Sequence, residues 1–232
     1  MQELDIFGMT VKDYDQKETI QLLNRYLDNG GLNLVSYLNT QMLIDSENIE
    51  NCREWISELD MAIPAEPEIL KTAGKMDEKR LKEVGSGVII KTLVHKLSKN
   101  RLPVYLIART QSDLTALQKE IKELQGYLNV VGTFTLLEND GISMELTAER
   151  EDMMVNDIND LVPKAIISRM DFATQLRLMH EHKKRINAEL WLGLIPGIRL
   201  QGLRKHGKMR LNAFFYKKLF SRKFMKYRNA KS

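Results

Sequence analysis

The chain has 232 residues, 43% hydrophobic and only 7% aromatic, which suits one large domain with a core of Leu, Ile, Val and Met. Its single cysteine, Cys52, excludes an internal disulfide, and a secretory leader or a bilayer-spanning apolar run is not expected. The net charge of +4 hides an asymmetry: 12 Lys or Arg and no acid lie between Leu190 and Ser232, leaving an acidic body and a basic tail suited to phosphate-bearing partners.

Residues 15–27 place Ile20, Leu23 and Leu27 on one helical face, capped by Asp13 or Asp15 and ended by Asn29-Gly30-Gly31. A short buried strand follows at 32–38. Residues 41–57 are helical in character, and 59–63 form a second strand stopped by Pro64. Helices are predicted at 67–73 and 87–99, a strand at 103–108, and the clearest amphipathic helix at 112–125. Strand 128–134, loop 135–148, helix 149–160, strand 164–168, basic helix 172–186 and strand 190–194 complete the body. Short apolar strands alternating with helices predict an α/β fold, a mostly parallel sheet with helices on both faces. The composition shift divides the chain into a body, 1–196, and a basic helical C-terminal appendage, 197–232.

In such a sheet ligands sit beyond the carboxyl ends of the strands. Tyr37, Asn39, Pro64 to Glu66, Ala108, Arg109, Thr133, Arg169 to Gln175 and Ile195 to Gly197 are therefore the residues to inspect. Gly85-Ser86-Gly87 opens a helix and offers amides to an anion, although a plain turn with a Ser cap is the commoner use of such a sequence. Glu66 follows a strand end and is a candidate general base; a Glu in a first helical turn is more often there for the helix dipole. The four histidines make no ligand set, His180 and His182 being two apart, so no metal and no cofactor is expected.

In the tail, Leu211, Phe214, Phe215 and Leu219 share one helical face, and Tyr216, Phe220, Phe224 and Tyr227 lie nearly opposite. Two short helices, or one helix covered on one side by the body, fit that pattern. Arg204, Lys208, Arg210, Lys217, Lys218, Arg222 and Lys223 would meet an anionic membrane surface or a diphosphate. Base stacking on nucleic acid and a solvated tail without a partner are weaker alternatives.

The order of segments resembles the WecG/TagA/CpsF glycosyltransferase family over nearly the whole chain. The resemblance rests on LDIFGMTVKDYDQKETIQLL, LVSYLNTQML, ELDMAIPAEPEIL, EVGSGVI, VYLIARTQSDLTALQKEIKELQGYLNVVGT, ISRMDFATQLRLMHEH and the basic aromatic tail. It implies a Rossmann-like fold without a required metal. It also implies transfer of an N-acetylhexosamine-type sugar from a UDP-sugar to a polyprenyl-diphosphate-linked acceptor, in a cytoplasmic protein peripheral at the inner face of the cell membrane. Self-association is open. Asn39 stands at the family's Asn, with Tyr37 replacing a Thr; Lys82, Gly85 and Ser86 match part of its Gly-Ser stretch; Arg109 interrupts a Gly-Gly turn; and Gln175 is retained. These residues would meet the donor. Ala65 falls where the family has its Asp base, and the adjacent Glu66 would have to substitute. The alternative is a catalytically inactive relative that scaffolds or regulates surface glycan synthesis.

Overall fold

The computed structural model describes residues 2–72, 84, 87–125, 127–137, 147–196, 198–200, 204–205 and 209–231. Two strands, β1 (Gln2–Ile6) and β2 (Met9–Asp13), form an antiparallel hairpin. Its two-residue turn is Phe7-Gly8, with φ of 53° and 85°, the positive values a primed hairpin turn requires. The Gly8 amide donates to Asp5 Oδ1 at 2.9 Å. Then come α1 (Gln16–Tyr26), β3 (Asn33–Leu38), α2 (Thr40–Asp45), α3 (Cys52–Ser57), β4 (Met61–Pro64) and α4 (Pro67–Thr72). Next are α5 (Val88–Lys99), β5 (Val104–Ala108), α6 (Gln111–Gln125), β6 (Val130–Thr135), α7 (Ala148–Leu161), β7 (Ala165–Arg169), α8 (Phe172–His182) and β8 (Leu190–Leu194). The short pair β9 (Ile198–Arg199) and β10 (Arg204–Lys205) precedes α9 (Met209–Lys231).

From α1 to β8 the order of elements matches the sequence expectation, with local differences, while the β1–β2 hairpin and the β9–β10 pair were not among the expected elements. The helical stretch 41–57 is two helices, because Asn51 adopts φ 60° and ends the continuity before α3. The expected helix 172–186 stops at His182. Of the two patterns open for the tail, the structure has one helix, α9, covered on one side by the body.

Six strands form one parallel sheet in the order β4–β3–β8–β7–β5–β6. Parallel strands are buried on both faces, so their side chains alternate between two apolar layers. Val35, Tyr37, Leu106, Ala108, Ile167, Leu192 and Leu194 face α1, α5 and α6. Leu34, Tyr105, Ile107, Ile166 and Trp191 face the other way, onto α7 and α8. A third apolar cluster joins the hairpin, α2, α3 and α4 to Phe220 and Phe224 of α9. This is a Rossmann-like α/β fold. The outer strand β6 is blunted by a register shift opposite Val104/Tyr105 and by Arg150, which donates to the carbonyls of Thr135 and Leu136.

Candidate functional site at the carboxyl edge of the sheet

From β3 the chain steps outward to β4, and from β5 it steps outward the opposite way to β6, with β8 and β7 inserted between. The reversal falls between the neighbours β7 and β5, whose connections leave to opposite sides, to β8 and to β6, which is the condition for a ligand crevice beyond the carboxyl ends. Those of the expected residues that the structure describes fall on this edge, but most of their polar atoms are already engaged.

Asn39 is the N-cap of α2, 6% exposed, and its Oδ1 accepts the Met42 amide at 2.9 Å. Glu66 is 4% exposed. Its Oε2 accepts from both the Thr40 amide, at 3.0 Å, and the Thr40 hydroxyl, at 2.7 Å. The carboxylate therefore holds the first turn of α2, where the helix dipole favours it. Ala65 is buried, and its amide donates to the Leu38 carbonyl at 2.7 Å. Arg109 stands exposed at the end of β5, where its carbonyl accepts the Leu137 amide at 2.9 Å. Its guanidinium has no ion pair among the described residues. Lys82, Gly85, Ser86 and Lys208 lie outside the described residues, as do the side chains of Arg204 and Arg210.

Gln175 is completely buried. Ser36, Gly193 and Ser168 pair across the three central strands β3, β8 and β7, and Gln175 lies over them from the first turn of α8. Its Oε1 accepts from Ser168 Oγ at 3.0 Å and its Nε2 donates to Ser36 Oγ at 3.4 Å. Trp191 Nε1 donates to Ser168 Oγ at 2.9 Å. The result is a polar bar inside an apolar layer that ties α8 to the sheet just below its carboxyl edge. Gln175 thus positions the β7–α8 turn.

Two further groups at this edge lie in the stretch Arg169 to Gln175 that the sequence marked for inspection, though neither was given a role there. Arg169, the last residue of β7, is 6% exposed and bonds Glu120 of α6 through both terminal nitrogens, at 3.1 and 3.0 Å. Glu120 Oε2 also accepts the Leu200 amide at 3.1 Å, so this ion pair holds the strap that leads from β8 toward the tail. Asp171 caps α8 through the Thr174 amide at 3.0 Å, leaving a half-buried carboxylate at the crevice. An arginine ending an apolar strand was the available signal for the first.

Helix α9 divides its cations. Lys217 pairs with Glu68 at 2.6 Å, Lys223 with Glu47, and Lys231 with Asp5, which also accepts from Tyr227 at 2.9 Å. The Lys231 ammonium, then Tyr227 and the Gly8 amide, hold the Asp5 carboxyl below its usual range. The acidic body thus neutralises part of the tail itself. On the same side Phe7 packs edge-on against Phe220, Phe224 and Tyr227, with ring centroids 5.5 to 5.9 Å apart. The opposite stripe carries Phe214, Phe215, Lys218, Arg222 and Met225; the three apolar members are 60%, 63% and 51% exposed. Between α9 and the first turn of α4 lies a cavity of about 630 Å³ lined by Glu68, Phe214, Lys217, Lys218, Ser221 and Arg222. Because α4 starts where β4 ends, this cavity adjoins the carboxyl edge.

Cys52 is buried, and burial pushes its thiol up to about 11, as suits an apolar core residue that stays protonated at neutral pH. Glu151, Glu181 and His182 bring their ligand atoms within 4.8 Å of one another. Arg177 bonds both carboxylates, so the charge a cation would supply is already present. No described helix is long and apolar enough to cross a membrane.

A sequence model of the glycosyl transferase WecG/TagA/CpsF family matches residues 4–195. No curated protein matches the chain.

Proposed function

Because the chain belongs to the WecG/TagA/CpsF glycosyltransferase family, whose activity is glycosyl transfer in cell-surface polysaccharide synthesis, we propose that it handles a nucleotide sugar and a lipid-linked acceptor. The donor is a UDP-N-acetylhexosamine lying against the carboxyl edge, with Arg109 available to its diphosphate. The acceptor is a polyprenyl-diphosphate-linked sugar whose diphosphate meets Lys218 and Arg222 in the cavity beside α4. Fixed cations at that point would stabilise charge developing on the departing diphosphate. The outward stripe of α9 lays Phe214, Phe215 and Met225 on the inner face of the cell membrane, with Lys218 and Arg222 toward anionic headgroups. The observation that carries this reading is the division of α9: one face locked into the body, the other apolar, cationic and open beside the edge where the donor would lie.

The proton acceptor is the weak point of the transfer. Ala65 has none, and Glu66 is committed to Thr40. That pair of facts favours a second reading, a family member that binds the same ligands without turnover and scaffolds surface glycan synthesis. Release of UDP from UDP-N-acetylhexosamines, in the presence of a soluble polyprenyl-diphosphate sugar, separates the two. Acceptor-dependent release supports transfer. Its absence alongside saturable UDP binding supports the scaffold, and absence of both ends the proposal.

A further inference from the structure

Glu68 lies two residues beyond Glu66, on α4, and it lines the cavity between α4 and α9. The backbone that carries it is anchored. Ile69 and Leu70 are fully packed, and the Ile69 amide donates to the Glu66 carbonyl at 3.2 Å. Thr72 and Ser221 share a hydrogen bond at 3.3 Å, which fixes α4 against α9. The Glu68 side chain keeps 29% of its surface exposed, whereas Glu66 is buried. Lys217 Nζ donates to Glu68 Oε2 at 2.6 Å, and Oε1 has no hydrogen bond among the described residues. Lys218 and Arg222 line the same cavity, and the Lys218 ammonium is held 4.9 Å from the Phe214 ring centroid. A sugar joined directly to a diphosphate presents both a charged group and, within the width of one ring, a hydroxyl that must lose its proton. A carboxylate and two cations on one cavity match that pair, and a general base must lie within hydrogen-bond reach of the proton it takes.

We propose that Glu68 is the general base of the transfer, the role that Ala65 cannot fill and that Glu66, bonded to Thr40, does not. The inference rests on reading this cavity as the acceptor site, and it places the donor's anomeric carbon at the β4 end of the carboxyl edge. There the acceptor oxygen forms its bond to the anomeric carbon. The bond from that carbon to the donor's diphosphate breaks, and its electron pair leaves with UDP. The acceptor's hydroxyl proton passes to Glu68 and from there to solvent, to which the side chain is open. Lys217 holds the carboxylate in place and balances its charge beside an incoming diphosphate.

The test is acceptor-dependent UDP release by the full chain, with UDP-N-acetylhexosamines and a soluble polyprenyl-diphosphate sugar. Glu68→Gln keeps the size of the side chain and a hydrogen bond from Lys217 but cannot take a proton. It should lower kcat about 10²–10⁴-fold, with KM for the donor within about threefold of wild type and an unchanged melting temperature. Glu68→Asp, which withdraws the carboxylate by one methylene, should lie between, about tenfold or more below wild type, and it carries the test alone if the Gln variant does not fold. Glu66→Gln should instead cost stability rather than rate. A kcat for Glu68→Gln within about threefold of wild type, or an equal loss in Glu66→Gln, would overturn the inference and leave the transferase reading standing. Absence of acceptor-dependent release from wild type would sink both.

Discussion

Replacing Gly193 by Ala tests whether the buried polar bar is a fixed part of the site. A Cβ built at Gly193 falls 2.7 Å from Gln175 Cδ, closer still to Nε2, and 3.0 Å from Ser36 Oγ. The far end of a flexible side chain could usually swing away. Gln175 is completely buried and held between Ser168 and Ser36, so moving it leaves a buried amide unsatisfied. That loss costs about 1–3 kcal/mol, and overpacking adds about 1–3 kcal/mol, for a total of about 2–6 kcal/mol. The total is a large share of a typical domain's stability of about 5–15 kcal/mol. Urea denaturation should show a lowered midpoint with an unchanged slope. Combining Gly193→Ala with Gln175→Ala removes the clash, so the double variant should cost less than the sum of the two by about 1 kcal/mol or more. A Gly193→Ala chain within about 0.5 kcal/mol of wild type, or costs that simply add, would refute the account of the bar.

Phe220→Ala should lower stability by about 3–5 kcal/mol in the same assay, because Phe220 is fully buried between α9 and the hairpin. Asp5→Asn tests the latch at the end of α9. The folded Asp5 carboxyl is depressed, chiefly by Lys231, so its contribution is present above the unfolded carboxyl's pKa and fades as pH falls through the lower folded value. At neutral pH the variant should lose at most about 0.5 kcal/mol, since Asp5 is solvent-screened, and the gap should close in acid. Reversing Lys218 and Arg222 to Glu should weaken flotation with anionic vesicles by about tenfold or more at unchanged thermal stability. Reversing Lys223, which faces Glu47, should instead show as lost stability.

The fold was legible because its strands are apolar runs between helices of recognisable period, and parallel strands buried on both faces must look that way. The opposed faces of α9 were legible for the same reason: Phe220 and Phe224 fall on one side of the helix and Phe214 and Phe215 on the other. The use of individual polar groups was not. Asn39, Glu66 and Gln175 sit where chemistry was expected, yet their partners are Met42, Thr40, Ser36 and Ser168. Glu66 meets Thr40 only because β4 lies beside β3, and Gln175 reaches Ser36 only because Gly193 of β8 separates β3 from β7. Lys217 and Lys223 were likewise read as free for phosphate, because nothing in the tail's own sequence places Glu68 and Glu47 opposite them.

The claim that a nucleotide sugar lies on the carboxyl edge is tested most directly by amide hydrogen exchange with saturating UDP-N-acetylhexosamine. Protection should appear in the segments that follow β3, β5 and β7, at residues 39–45, 109–115 and 170–176. Protection confined to the amino ends of the strands, around 28–33 and 184–190, would contradict the account.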